Sequence, residues 1–387
     1  MQLNIGKLYL IVPIADTAEF DDSTFTIDEV ETPSVIVDLD VLERNVLAMA
    51  ALAERHRVKL RPMVKTHKSP VIAGLQSDAG ACGVLVATIG EAEAMAAAGI
   101  EDVCLAYPPV GVGKCERLAR LARNVRLTLS VDSSEAVRLV HKIAAASRCE
   151  VAVELLVDCG SGRLGSHPRE VVRIAREFHD GPHVWFAGVA THAGQVYGCT
   201  DSAQVADVAR EEAGAVLDAA DCLRAAGLRC NTVAVGSTPT VAIGAAIEGI
   251  TEIRPGNYVF NDAIQLALGV ARQEQCSLRV AATVVSRPVP ERVVLDVGSK
   301  TLSSDRGAHG NNLVRGFGVV IGHPEFHIER LSEELAVLAV PSDSVVVPGD
   351  RLEIIPNHAC TVTNLVSSLN GVRRRNVAMK IPVVAKH

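Results

Sequence analysis

Lys65 lies in the run Arg61-Pro62-Met63-Val64-Lys65-Thr66-His67-Lys68, just after an apolar stretch, Val58 to Val64, that reads as a β-strand. A helix is expected to open after Ser69. A lysine at the C-terminal rim of a parallel sheet, partly withdrawn from water, is a nucleophile toward carbonyl carbon, because desolvation favours its neutral amine. That is the chemistry of a Schiff base. The plainer reading of the same position is a solvated surface lysine.

Four further segments carry chemistry of other kinds. Asp158-Cys159-Gly160-Ser161-Gly162-Arg163-Leu164-Gly165 combines three glycines with a fixed cation, and Arg163 can bond a phenolate oxygen of a ligand; an ordinary tight turn fits the glycines equally well. Thr191-His192-Ala193-Gly194-Gln195-Val196-Tyr197 offers a histidine that can stack on a planar ring or move protons, and a tyrosine that can bond a cofactor. Both also suit a purely structural rim. Gly236-Ser237-Thr238-Pro239-Thr240 and Arg254-Pro255-Gly256-Asn257-Tyr258 have the small and hydroxyl residues from which backbone N–H groups build a phosphate cradle. In Pro356-Asn357-His358-Ala359-Cys360, histidine and cysteine two apart on an extended segment share a face and can hold one borderline divalent ion such as zinc. Two protein ligands leave coordination positions open for water and substrate, as in catalytic metal sites.

The elements that must position these groups alternate in type. Strand patterns at 34–38, 60–64, 84–87, 103–106, 127–131, 151–157, 185–190, 232–236 and 250–254 are separated by helical patterns such as 90–98, 133–146, 169–179 and 202–227. Asp132-Ser133-Ser134-Glu135 and Thr88-Ile89-Gly90-Glu91 offer N-cap or capping-box character at two of the helix starts. Setting the first strand aside leaves eight, so the fold expected is α/β: a (β/α)8 TIM-like barrel over 41–270. A second, mostly antiparallel β domain is expected from 1–40 and 271–387, where short alternating strands at 278–286, 292–296, 334–340 and 351–355 are broken by Gly and Pro. The loops after the last two barrel strands, where such barrels place phosphate, are the Gly236 and Arg254 segments.

Composition narrows the class. A hydrophobic content of 48% in 387 residues supports a large core, and a net charge of −7 with 3% aromatics leaves no basic or stacking surface for nucleic acid. The ten cysteines form no CxxC pair and read as reduced thiols of a cytoplasmic protein. The apolar run Leu8 to Ile14 is too short to span a bilayer and is followed at once by acidic residues, so neither a signal peptide nor a membrane segment is expected.

Taken in order, the stretches Thr32-Pro33…Asp38-Leu39-Asp40, Arg61-Pro62…Lys65-Thr66-His67-Lys68, Gly236 to Thr240, Arg254-Pro255-Gly256-Asn257-Tyr258-Val259-Phe260 and Pro356 to Cys360 resemble the D-threonine aldolase and D-serine dehydratase family. These are pyridoxal 5'-phosphate enzymes with the alanine-racemase-like barrel. The resemblance runs from about Thr32 to the C-terminus. It implies Lys65 as the Schiff-base lysine, Arg163 on the cofactor's phenolic oxygen, and His192 stacked on its ring. It also implies Gly236, Ser237, Thr238, Gly256 and Asn257 around the phosphate, with Tyr197 as a further cofactor contact. His358 and Cys360 are implied to bind a divalent metal, Mn2+ or Zn2+, beside a substrate β-hydroxyl, in a homodimer.

Two departures stand out: Met63 and Leu335 occupy positions where the family tends to have histidine. The activity expected is retro-aldol cleavage of a D-3-hydroxy-α-amino acid to glycine and an aldehyde. Dehydration to a 2-oxo acid and ammonia uses the same parts, and the His-x-Cys pair leans that way. A racemase needs a second base, a tyrosine in the β domain, and no tyrosine follows Tyr258. A non-enzymatic pyridoxal phosphate carrier has no use for the metal pair or the C-terminal region.

Overall fold

The structure is a computed structural model, and it describes residues 25–178, 183–307 and 313–385. The apolar run Leu8 to Ile14 therefore lies outside the described residues. The first strand, β1 (Ser34–Asp38), is followed by eight parallel strands: β2 (Lys59–Leu60), β3 (Val84–Val86), β4 (Asp102–Leu105), β5 (Arg126–Val131), β6 (Val151–Leu156), β7 (Val184–Ala190), β8 (Thr232–Val235) and β9 (Glu252–Ile253). Their order is β2-β9-β8-β7-β6-β5-β4-β3, and a parallel bridge between Met63 and Leu85 joins the two ends into a barrel. The Leu85 N–H donates to the Pro62 carbonyl at 2.8 Å.

The first barrel strand is shorter than its apolar run. Regular strand pairing covers only Lys59 and Leu60, yet the Arg61 and Met63 N–H groups still donate to the Ile253 and Pro255 carbonyls at 3.0 Å each, so the chain stays beside β9 past Pro62. Lys65 sits in a single 3-10 turn, Val64–Thr66, just beyond the rim. The helix after Ser69 is present as Pro70–Asp78. Thr88 and Ser133 act as N-caps, accepting from Glu91 N–H at 3.1 Å and Ala136 N–H at 3.4 Å.

The remaining strands are β10 (Leu278–Val289), β11 (Arg292–Leu295), β12 (Val319–Val320), β13 (His327–Leu331), β14 (Ala336–Ala339), β15 (Arg351–Ile355), β16 (Ser368–Arg373) and β17 (Asn376–Pro382). They pair in the order β13-β14-β11-β10-β1-β16-β17, with β15 also on β10 and β12 on β15. All these pairings are antiparallel except β1 with β16, so β1 belongs to this second sheet. β13, β16 and β17 escape sequence reading for a local reason. His327-Ile328-Glu329-Arg330-Leu331 buries only Ile328, and β16 is interrupted by Asn370-Gly371. A Cβ at Gly371 would stand 2.9 Å from Met379 Cγ, so a larger residue there would need the Met379 side chain to shift.

Each sheet has its own apolar core, one running from Val58 and Leu60 to Ile253, the other from Val35 and Val37 to Ile381 and Val383. The barrel interior also holds charge. Arg254 bonds both oxygens of Glu154 at 2.6 Å each, and its Nε donates to Glu252 at 2.7 Å. Arg61 donates to Glu252 at 3.1 Å and to Asp102 at 2.5 Å. The ten cysteines are all free thiols. Among the described residues, no helix is long and apolar enough to cross a membrane.

Candidate active site

The eleven residues singled out from sequence all line one cavity of about 840 Å³ at the C-terminal ends of the barrel strands. The turn that carries Lys65 is held from behind by His67, which is fully buried. Its Nδ1 accepts from Ser69 N–H at 3.0 Å, and its Nε2 bonds Gln76 Oε1 at 3.3 Å. Burial drops the His67 pKa to about 3, so this imidazole is neutral and structural. Gln76 in turn donates to the Tyr258 hydroxyl at 2.9 Å, which ties the Lys65 turn to the Gly256–Tyr258 loop.

The cofactor loops converge closely. His192 Nδ1 donates to the Gly236 carbonyl at 2.5 Å, which fixes the tautomer and the ring plane. A Cβ on Gly236 would come within 2.7 Å of Arg254 N, and one on Gly256 within 2.9 Å of Thr66 Oγ1. These glycines let two strand ends and the Lys65 turn meet. Among the described residues, the backbone N–H groups of Ser237, Thr238 and Gly256 find no acceptor. That set, with the Ser237 hydroxyl, is the donor chemistry a phosphate needs, so the residues fit the phosphate of pyridoxal phosphate. Asn257 donates to Asp262 at 2.5 Å, and its Oδ1 is buried without a partner among the described residues.

Arg254, which opens the Gly256–Asn257 loop, lies beneath the cup. Its guanidinium is spent on Glu154 and Glu252 in the cavity floor. Arg163 is exposed and lines the mouth, on a loop gathered by Asp158, whose Oδ1 accepts from Gly160 N–H at 3.0 Å and Gly162 N–H at 3.2 Å. The Tyr197 phenol lies deep in the wall, and burial raises its pKa, with nearby Cys360 adding to the rise; it stays a proton donor.

The metal pair is arranged differently from the extended strand end expected. His358 is the N-cap of the helix Ala359–Leu365, and Cys360 lies in its first turn. The strand before them has already ended at Ile355. The two side chains still meet. His358 Nδ1 bonds Asp305 Oδ2 at 2.7 Å, which leaves Nε2 as the coordinating nitrogen. Cys360 Sγ lies 3.3 Å from Thr66 Oγ1, one residue from Lys65. Burial opposes charge on both groups, yet their mutual attraction raises the imidazole pKa and lowers that of the thiol, with Asp305 supporting the imidazolium. An imidazole and an ionisable thiol side by side, with a carboxylate behind the imidazole, fit a borderline divalent ion. Among the described residues, no group of three His, Cys, Asp or Glu side chains forms a metal site, so two protein ligands are what this site offers.

Sequence reading missed Asp305, Thr66, Asp262 and Glu212. Asp262 accepts from Asn257, from Gln265 N–H at 3.1 Å and from Ala359 N–H at 3.0 Å, so it links the phosphate cup to the metal helix. None of the four lies in a chemically marked pattern; Thr66 alone adjoins one. Of the two departures, Met63 lines the cavity, whereas Leu335 is 44% exposed on the turn between β13 and β14 and is not part of the lining.

Residues 37–263 match the alanine racemase N-terminal domain, and residues 277–372 match the putative serine dehydratase domain. The D-threo-3-hydroxyaspartate dehydratase of Delftia sp. (strain HT23) is 36% identical over 88% of this chain and 92% of its own length. The D-threonine aldolase of Arthrobacter sp. is 34% identical over 89% of each chain. Among solved structures, D-threonine aldolase from Filomicrobium marinum superposes with a TM-score of 0.86 at 30% identity, covering 93% of this chain and 97% of its own. The dehydratase has also been solved as a histidine-to-alanine variant and, in its metal-free form, as a cysteine-to-alanine variant, at positions two residues apart. With both domains matched in order and close relatives spanning nearly the whole chain, this protein belongs to the D-threonine aldolase and D-serine dehydratase family.

Proposed function

We propose that this chain is a pyridoxal phosphate-dependent lyase that cleaves D-3-hydroxy-α-amino acids of the D-threonine type to glycine and an aldehyde, assisted by a divalent ion at His358 and Cys360. The observation that supports it is the meeting, in one cavity, of the Lys65 amine, a cup of unpaired backbone donors and a coupled imidazole–thiol pair. Bound pyridoxal phosphate supplies an electron sink for the pair left on Cα when a bond to it breaks. A divalent ion supplies Lewis-acid polarisation of the β-hydroxyl.

The protein's own groups do the rest. Ser237, Thr238 and Gly256 would hold the phosphate, with His192 against the ring and Arg163 toward the phenolic oxygen. Cys360 and His358 Nε2 would hold the ion, and Asp305 keeps the proton on His358 Nδ1 so that Nε2 is left to bind it. The substrate β-hydroxyl would give its proton to solvent water at that end of the cavity as the Cα–Cβ pair moves to Cα and the aldehyde departs. Lys65 would return a proton to Cα to complete glycine.

Cleavage needs a proton acceptor at the β-oxygen, whereas dehydration needs a base at Cα, a role open to Lys65, and an acid or Lewis acid at the departing hydroxyl; the apolar Met63 in the wall serves neither. A second reading, dehydration to a 2-oxo acid and ammonia, is favoured by one observation. The pair here is His-x-Cys, the spacing of the substituted histidine and cysteine in the solved dehydratase variants.

Proton NMR of the protein with D-threonine, pyridoxal phosphate and Mn2+ or Zn2+, against an EDTA control, decides between them. Glycine and acetaldehyde formed only with metal is the expected result. 2-Oxobutanoate and ammonium would make the enzyme a dehydratase. Neither product would refute both readings.

A further inference from the structure

Behind the phosphate cup, on the helix Ser202–Ala225, stands a buried carboxyl that the proposed chemistry does not use. Glu212 has no exposed surface and does not line the cavity. Its Oε1 accepts from the N–H groups of Ala193 and Gly236, each at 3.0 Å, and its Oε2 accepts from the Thr240 hydroxyl at 2.7 Å. Ala193 follows His192, and Gly236 opens the Ser237–Thr238 turn. His192 itself donates to the Gly236 carbonyl. One carboxyl oxygen and one imidazole thus bracket the same two loops from opposite sides.

The helix has no need of an acid here. Val205, Ala209, Ala213 and Val216 around it are buried and apolar, and an uncompensated carboxyl among them would be costly. Every contact Glu212 makes goes to the loops after β7 and β8 instead. We propose that Glu212 is a positioning residue for the ligand of this cavity: it sets the plane of His192 against the Ser237–Thr238 turn, so that a phosphorylated planar heteroaromatic ring finds its stacking and phosphate contacts in register. This rests on the reading of the cup as a phosphate site.

The test titrates pyridoxal phosphate into the cofactor-free full-length chain, reading the dissociation constant from visible absorbance and the orientation of the bound ring from visible circular dichroism. Melting of the cofactor-free protein is measured alongside. E212L is expected to weaken binding at least tenfold and to alter the dichroic band. E212Q keeps an acceptor oxygen for both N–H groups and an amide for Thr240, so it should restore both readouts to within about threefold. If E212L fails to fold, T240V carries the test. It removes the Oε2 partner together with the 3.0 Å contact between the Thr240 and Ser237 hydroxyls, and should weaken binding two- to fivefold with a smaller dichroic change. Wild-type binding and dichroism in folded E212L or T240V would overturn the proposal even if melting falls. Failure of the wild-type chain itself to bind pyridoxal phosphate would instead overturn the reading of the cavity, and this inference with it.

Discussion

Replacing Glu154 by glutamine tests whether the charged floor of the barrel is as tightly coupled as its geometry indicates. Glu154 is buried, receives both terminal nitrogens of Arg254 at 2.6 Å each, and accepts the Ser130 hydroxyl at 2.7 Å. Burial resists its ionisation, but Arg254 and the Ser130 bond outweigh that and hold its pKa at about 2, against an ordinary 4.5. At roughly 1.4 kcal/mol per pH unit, the difference corresponds to about 3 kcal/mol of stability. Breaking a buried pair from one side costs about as much in general, roughly 3–5 kcal/mol. The sign follows from a folded-state pKa below the unfolded one. The contribution is complete above pH 4.5 and is lost as pH falls toward 2. Urea unfolding of the cofactor-free chain, followed by far-UV circular dichroism, should therefore show E154Q about 3 kcal/mol less stable at pH 7 and at pH 5. The gap should shrink to less than half by pH 3. A gap under about 1 kcal/mol at pH 7, or one of equal size at pH 3, would refute the reasoning.

Four other outcomes follow from the geometry. K65A should keep the fold, measured by far-UV circular dichroism, while losing the visible absorbance of covalently held cofactor and all product formation. H358A and C360A should keep that absorbance but lose the EDTA-sensitive turnover of D-threonine. M63H places an imidazole in the cavity wall and should give kcat/KM a new pH dependence between about pH 6 and 7, whereas L335H, on an exposed turn, should shift stability by no more than about 0.5 kcal/mol and leave the pH profile unchanged. In the Arg163 loop, Gly165 has φ +112°, and a Cβ there would lie 2.5 Å from Asp158 N; G165A should cost about 2 kcal/mol or more in thermal unfolding and weaken cofactor binding, because backbone cannot give way.

The barrel was legible because its signals are local. Several parallel strands are apolar runs buried on both faces, as in Val84-Leu85-Val86, and two are followed by helices with readable caps at Thr88 and Ser133. The site residues were legible for a related reason. Lysine, histidine, arginine and glycine clusters at strand ends are chemically marked whatever lies beyond them. Strands whose identity depends on their neighbours were not. β13 and β17 lie at the two ends of their sheet and show weak alternation, and β16 reads as turn-like because of Asn370-Gly371 until β1 and β17 are laid on either side.

The same distinction explains what was missed within the site. Lys65 and Cys360 are separated by 295 residues, and what brings them together is contact between the two sheets' loops. The Thr363 hydroxyl donates to the Thr66 carbonyl at 2.6 Å, Cys360 bonds Thr66, and Ala359 N–H reaches Asp262 from the far side. Lys68 adds a further tie: it is buried, 3.6 Å from Glu91 of a barrel helix and 2.9 Å from Asn364 of the metal helix. Asp262 and Asn364 are ordinary residues in sequence, and Thr66 and Lys68 are marked there only as part of the Lys65 run. They acquire a role only because each touches an element from the other half of the chain. The distance between the Lys65 amine and the His358–Cys360 pair is therefore set by residues outside both. A substitution at Thr66, which bonds Cys360 and Thr363, should alter turnover more than cofactor affinity, whereas one at Asp262, which also holds Asn257, should alter both.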